Sequence, residues 1–180
     1  AVRWPDLEVV IVDDRSEDAT GDVARAAGRE AAREGASLHV IEGTEPPEGW
    51  AGKTWALQFG LDAATSDWIV ALDAVKRPRP ELPVSVVSRA EADGTDLLTV
   101  AGRFDGDSAG ARWLQSAMLT TLVYRFGPPT NAHITSERTV ANGQCLLVPT
   151  ERFRAADGWA PVAANMTEDV ALARHLVREG

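Results

Sequence analysis

The chain has 180 residues, 44% hydrophobic and 25% charged, a length and composition typical of one globular domain with a sizeable core. Its net charge of −9 argues against a general affinity for nucleic acid or anionic lipid, because phosphate-binding surfaces normally carry clustered Lys and Arg. The single cysteine, Cys145, excludes an internal disulfide framework and a cysteine-based zinc site.

Short apolar runs rich in β-branched residues alternate with stretches of helix-forming composition. The runs predict strands at 7–12, 37–43, 67–73, 96–102 and 144–149. Helices are predicted at about 18–34, 53–65, 80–92 and 109–126, with Thr150 and Thr167 as N-caps of two more. Since strand and helix alternate through residue 102, the pattern predicts an α/β fold with a doubly wound, mainly parallel sheet.

The stretch 109–126, AGARWLQSAMLTTLVYRF, places Trp113, Met118 and Leu122 at helical spacing. Apolar residues at this spacing usually face a core, so core packing is the favoured interpretation. A face for a membrane surface or a hydrophobic acceptor is the alternative. The following segment, 127–139, is predicted to be a long loop, and such loops are often functional lids.

Two adjacent acids, Asp13 and Asp14, end the first apolar run. A carboxylate at the carboxyl end of a strand can accept hydrogen bonds from a nucleobase or a ribose. Neighbouring acids repel each other, and this cost is more easily explained if a ligand or a cation uses them. For Ser16 and Asp18 we predict only a cap on the next helix. The acid pair therefore predicts a ligand site at this strand end.

The stretch TEPPEGWAGKTW, residues 44–55, combines a constrained loop with a helix start. Free backbone N–H groups and the ammonium of Lys53 are offered together there, which suits a diphosphate. The glycine spacing of a P-loop is missing. A solvated Lys53 or a structural Trp50 would be the simpler explanation for either residue alone, but the cluster predicts a phosphate site.

Acids also stand at the end of the third apolar run and at the start of the last helix. Asp73 ends WIVALD, where α/β sheets bind ligands, and Val75 stands where a second acid would complete a cation site.

Glu168 and Asp169 follow Thr167 in a first helical turn, where acids are common because the helix dipole favours them. The functional interpretation is a general base at the edge of a cleft.

In chain order, EVVIVDDRSEDAT, GWAGKTWALQFGLDAA, WIVALDAVKRPRPE, ANGQCLLVPTERFRAADGW and TEDVALARHL resemble the family 2 glycosyltransferases, which have the GT-A fold. The resemblance covers nearly the whole chain. It implies one catalytic domain over residues 1–180, with a nucleotide-binding part at about 1–80 and an acceptor-side part at about 95–180. The loop PPEGWAGK is similar to the membrane-associated branch that acts on lipid, hopanoid or carotenoid-type acceptors.

The resemblance implies an inverting transfer from a nucleotide diphosphate sugar, with UDP expected, to an acceptor hydroxyl, aided by Mg²⁺ or Mn²⁺. On the donor side, Asp13 and Asp14 would lie near the uracil, Lys53 at the nucleotide, and Asp73 at the ribose or the metal. The residues expected on the sugar and acceptor side are Trp50, Asn142, Gly143, Gln144 and Glu168. Asp169 would be the base that deprotonates the acceptor.

Two departures from the family pattern define rival expectations. Val75 replaces the last acid of the Asp-x-Asp motif, so we expect Asp73 to bind metal weakly. The family's first strand and the membrane segments of the lipid-directed branch are missing, so we expect an N-terminally incomplete core in the cytoplasm, or at the cytoplasmic face of a membrane in a longer parent. An impaired GT-A domain that binds nucleotide or a partner without turnover is the alternative. A receiver domain, which is phosphorylated on an aspartate, is a minor alternative. It needs a lysine after its last strand to contact the phosphoryl group, and the two lysines here, Lys53 and Lys76, lie before that strand.

Overall fold

The computed structural model describes residues 7–33, 37–102, 108–126 and 135–179. Its strands are β1 (Glu8–Asp13), β2 (Ser37–Glu42), β3 (Trp68–Leu72), β4 (Leu98–Thr99) and β5 (Cys145–Pro149). Its α-helices are α1 (Thr20–Arg33), α2 (Gly52–Ala63), α3 (Leu82–Asp93), α4 (Ala109–Phe126), α5 (Thr150–Ala155) and α6 (Glu168–Glu179). The alternation of strand and helix confirms the predicted α/β class.

The strands pair in two groups with different directions. β1 and β2 are parallel and in register from Glu8 opposite Ser37 to Asp13 opposite Glu42. β5 lies between β3 and β4 and runs antiparallel to both. The pairing is thus less uniformly parallel than the sequence predicts, because an apolar run reveals a buried strand but carries no information about its direction.

Strand β5 is buried on both faces. Leu146 and Val148 belong to one core cluster, together with Leu61, Phe153, Trp159, Val162 and Leu172. Leu147, whose side chain points to the opposite face of the strand, belongs to a second cluster with Val86, Val87 and Ala90 of α3. Packing on both faces holds β5 firmly, and with it the turn that precedes the strand.

Helix α4 has the predicted bounds but not the favoured packing. Trp113 is 72% exposed and Met118 55%, and Leu122 is also exposed. Within the described ranges, no α4 residue belongs to either core cluster, so the prediction of core packing is wrong. The spacing of apolar residues shows that one helix can bury a face, but it does not show that a partner lies opposite.

Two further expectations concern local features. Thr150 is not an N-cap, because the cap position is Pro149 and the Thr150 hydroxyl donates to the Ser66 carbonyl at 2.6 Å. The predicted loop at 127–139 falls mostly on residues 127–134, outside the described residues. Among the helices that the structure describes, none is long and apolar enough to cross a membrane.

Replacing Gly60 by Ala should raise the free energy of unfolding by about 0.5–1 kcal/mol, since glycine is unfavourable inside a helix. Gly60 lies within α2, and an added methyl group would meet only Val12 Cγ2, at an ordinary 3.8 Å. Urea denaturation measures the change. Gly94→Ala is the control. Gly94 ends α3 with φ +61°, a conformation that alanine adopts at a cost, so this variant should be less stable than the parent. A destabilised Gly60→Ala would mean that α2 fits β1 more tightly than this spacing shows.

Candidate functional site

An open cleft of about 340 Å³ lies where α2, the end of β3, the turn before β5 and the start of α6 meet. Residues from four separate chain segments line it: Lys53, Asp73, Ala141, Asn142, Gly143, Gln144, Met166, Thr167, Glu168 and Asp169. Seven of these were predicted as site residues from the sequence. Ala141 and Met166 were not predicted, because apolar residues in loops carry no chemical signal in the sequence.

A larger depression of about 490 Å³ lies elsewhere, between α2 and residues 154–161. It contains none of the predicted site residues. Its one cation, among the described lining residues, is Arg154, whose guanidinium donates to the carbonyls of Leu61 and Ala64 at 2.9 and 2.7 Å. These bonds satisfy the end of α2, so we assign this depression a structural role and take the smaller cleft as the candidate site.

Lys53 joins two acids across the cleft. Its Nζ lies 2.5 Å from Glu168 Oε1 and 3.2 Å from Asp73 Oδ1. Glu168 is only 5% exposed, whereas the Lys53 side chain is about half exposed to the cleft. Burial alone would lower the pKa of Lys53, but its hydrogen bonds to Glu168 and Asp73 outweigh burial and raise the pKa above the ordinary lysine value. Lys53 is therefore a cation throughout the neutral pH range.

The start of α2 is tied to the chain that leads into α6. The Ala51 N–H donates to the Ala163 carbonyl at 2.8 Å, and the buried Thr54 hydroxyl donates to the same carbonyl at 2.5 Å. α2 has no side-chain N-cap and no acid in its first turn, and the acid nearest its first residue, Gly52, is Asp14 of the turn after β1. These contacts hold Lys53 opposite Glu168.

The turn Asn142–Gln144 connects Asp73 to Asp169. The Gly143 N–H donates to Asp169 Oδ2 at 2.7 Å, and the Asp73 N–H donates to the Gln144 carbonyl at 3.3 Å. A Cβ at Gly143 would lie 3.2 Å from Asp169 Oδ2, so glycine permits this close approach. The Asn142 side chain accepts from the Gln144 N–H at 2.9 Å. This one turn thus holds the Asp169 carboxylate and the Asp73 backbone.

Three predicted site residues do not line the cleft. Asp13 is buried, and its Oδ1 accepts from the Ser16 N–H at 3.2 Å, which supports a role in the turn after β1. Asp14 is exposed, pairs with Arg15 Nε at 3.3 Å and lies beside Gly52, next to Lys53 in sequence. Trp50 packs edge to face on Trp55 at 5.1 Å and against the core, which supports the structural explanation.

Whether the cleft fits a divalent cation depends on its oxygen ligands. Mg²⁺ is usually bound by one or two carboxylates together with substrate phosphates and waters, whereas Ca²⁺ takes about six to eight oxygen ligands. Asp73 already contacts Lys53, and the apolar Val75 is 82% exposed after β3 and does not line the cleft. Over the ranges that the structure describes, no three His, Cys, Asp or Glu residues are grouped as metal ligands. The three carboxylates that line the cleft are already engaged, Asp73 and Glu168 by Lys53 and Asp169 by two backbone N–H groups. A divalent cation therefore does not fit unless it displaces Lys53.

Comparison with known proteins bears on the same residues. The family model described as Glycosyl transferase family 2 matches residues 1–150. The matched range contains Lys53, Asp73 and the turn Asn142–Gln144, and it ends before α6, which carries Glu168 and Asp169. No curated protein matches the chain. The match therefore covers one side of the cleft and leaves the carboxylates of α6 to be judged from geometry.

Proposed function

This chain belongs to glycosyl transferase family 2, and from that premise we propose that its cleft moves a sugar from a UDP-sugar to an acceptor hydroxyl, with inversion at the anomeric carbon. Family membership makes it a glycosyltransferase of GT-A-like fold that uses a nucleotide-sugar donor and an acceptor, and it removes the receiver alternative. The observation that carries the finer proposal is one cleft with a cation, Lys53, and a carboxylate, Asp169, on its wall.

Lys53 and the start of α2 form the proposed diphosphate site. Backbone N–H groups at an uncapped helix start and an ammonium beside them attract phosphate oxygens. Asp73 stands next to Lys53 and is proposed to face the ribose. Asp14, beside Gly52, is proposed to approach the base, with Asp13 behind it. The donor would thus extend along the 1–80 part of the domain.

Asp169 is the proposed general base. Its Oδ2 accepts from the Gly143 N–H and its Oδ1 from the Val170 N–H, which fixes the carboxylate at the cleft wall. The carboxylate takes the proton of the acceptor hydroxyl as that oxygen attacks the anomeric carbon. The bond from this carbon to the diphosphate oxygen breaks, and its electron pair leaves with UDP, whose charge Lys53 stabilises. Attack opposite the leaving group inverts the configuration.

An apolar acceptor of lipid or isoprenoid type is the proposed sugar recipient. Helix α4 supports this, because its exposed side chains include Trp113, Met118 and Leu122. It also contains two arginines and no acid, in a chain whose net charge is −9. Such a helix suits an apolar acceptor or its membrane. We propose in addition that the reaction takes place in the cytoplasm or at the cytoplasmic face of a membrane. The acceptor side would use the 95–180 part of the domain.

Calorimetric titration with UDP, GDP, dTDP and the corresponding nucleotide sugars, followed by an assay for nucleotide release, tests the proposal. We expect UDP and one UDP-sugar to bind most tightly, and UDP release to rise when a lipid-linked acceptor hydroxyl is added. Uridine is the control ligand, because it lacks the diphosphate that Lys53 would bind. Absence of binding by every nucleotide would refute the proposal, and binding without turnover would establish the impaired domain instead.

A further inference from the structure

The cleft does not fit a divalent cation, and the reason is that Lys53 already contacts two of its carboxylates. We propose that the Lys53 ammonium replaces the metal ion, so that the donor diphosphate binds to this chain without a divalent cation. The inference rests on the proposed function, because it concerns the same donor site. It assigns Lys53 the stabilisation of the leaving group that a metal would otherwise provide.

The hydrogen-bonding capacity of Lys53 fits this role. An ammonium group has three N–H donors. Glu168 Oε1 and Asp73 Oδ1 lie 2.5 and 3.2 Å from Nζ and use two of them. Among the described residues these two acids are its ion-pair partners, so the third donor is available to a phosphate oxygen, and the side chain is about half exposed on the cleft side. Lys53 therefore links acids to phosphate, as a bound cation would.

The two acids also serve to position Lys53. Lysine has a flexible stem and would otherwise lose considerable side-chain entropy on binding a phosphate. The Glu168 carboxylate is buried, and α6 begins with this residue, so its oxygen is a fixed acceptor. Glu168 is thus a positioning residue for Lys53, and a metal ion entering the cleft would have to displace the ammonium from both carboxylates.

The first helical turn of α2 adds to the positive charge. Lys53 is the second residue of α2, whose first turn has no acidic side chain and no side-chain cap. The helix dipole places roughly half a positive charge at such an end. Val75, in contrast, is exposed beyond the end of β3 and offers no oxygen. Among the described residues that line this cleft, Lys53 is the one cation beside three acids, Asp73, Glu168 and Asp169. The positive charge offered to a diphosphate therefore comes from the cleft-facing part of the ammonium and from α2.

Titration of UDP into this chain in three buffers, containing EDTA, excess MgCl₂ or excess MnCl₂, tests the inference directly. We expect UDP dissociation constants that agree within about twofold in all three buffers. Lys53→Met should weaken UDP binding by about 10- to 100-fold, the usual loss for a charge-assisted hydrogen bond, and leave uridine binding unchanged. Lys76→Met is the matched control, since Lys76 does not line the cleft.

Loss of Lys53 leaves the buried Glu168 without its cation, so Lys53→Met alone could bind poorly because it folds poorly. The double variant K53M/E168Q removes both charges and keeps a side chain of nearly the same shape at 168. We expect it to bind UDP as weakly as Lys53→Met while melting near the parent temperature. Parental UDP affinity in a folded double variant would overturn the role of Lys53.

The outcomes separate the inference from the proposed function. UDP binding that disappears in EDTA and returns with Mg²⁺ or Mn²⁺ overturns the inference and leaves the glycosyl transfer intact. Failure of UDP, GDP and dTDP to bind in every buffer overturns both. The inference predicts that the parent chain binds UDP equally well in EDTA and in metal. It also predicts that both Lys53 variants lose this binding and that Lys76→Met keeps it.

Discussion

Replacing Asp169 by Asn should lower the rate of sugar transfer by about 10²- to 10⁴-fold, the usual cost of losing a general base. Asn keeps one oxygen that can accept the 2.7 Å bond from the Gly143 N–H, and it gives up the 2.8 Å bond that Asp169 Oδ1 accepts from the Val170 N–H. What disappears is the ability to take the acceptor proton at neutral pH. The measurement is UDP release from the UDP-sugar that binds most tightly, with acceptor present.

Donor binding and stability are the controls for Asp169→Asn. The UDP dissociation constant and the melting temperature should stay near the parental values, because Lys53 contacts Glu168 and Asp73 and not Asp169. Asp67→Asn, at an exposed acid just before β3, should have no effect on rate. Parental transfer by Asp169→Asn would show that Asp169 is only a first-turn helix acid, and Glu168→Gln would then test the neighbouring carboxylate.

Replacing Leu172 by Ala should lower the free energy of unfolding by about 2–5 kcal/mol. Leu172 is fully buried and belongs to the core cluster that contains Leu146 and Val148 of β5. The cost has two parts, the lost burial of the side chain and the cavity left in a core that relaxes only partly. Urea denaturation followed by circular dichroism measures it.

Val177→Ala is the matched control for Leu172→Ala, because Val177 lies on the same helix with its side chain 42% exposed. A change at such a surface position is usually within about 0.5 kcal/mol. Since α6 also carries Glu168 and Asp169, a destabilised α6 would disturb the cleft as well. Equal stability losses in the two variants would mean that α6 does not pack on the β5 core as observed.

The sequence predicted the elements well because their signals are local. The helix predicted at 109–126 has those bounds, and the strand predicted at 67–73 is observed at Trp68–Leu72. Composition and apolar periodicity over a few residues suffice for such assignments. The strand predicted at 96–102 is observed only as Leu98–Thr99, because the length of a strand depends on how far it pairs with a neighbour, and that neighbour, β5, is distant in sequence.

Seven predicted residues meet in the cleft. The acids and Lys53 carry a local signal at strand ends and helix starts, whereas Asn142, Gly143 and Gln144 were implied by the family resemblance. The topology brings these segments together. The sequence could not predict the contacts of Asp13 and Trp50. An aspartate at a strand end can hold a turn or bind a nucleotide, and the bond from the Ser16 N–H to Asp13 is visible only in the structure. The same holds for Trp50 packed on Trp55.

By itself, the sequence determined the α/β class, the order of the elements and the candidate acids and lysine, since each depends on neighbouring residues. Tertiary structure alone decided the antiparallel direction of β5, the exposure of α4 and the position of Val75 outside the cleft. It alone brought Lys53 between Asp73 and Glu168. The physical reason is that these features depend on contacts between residues far apart in the chain, whose free energies no local pattern encodes.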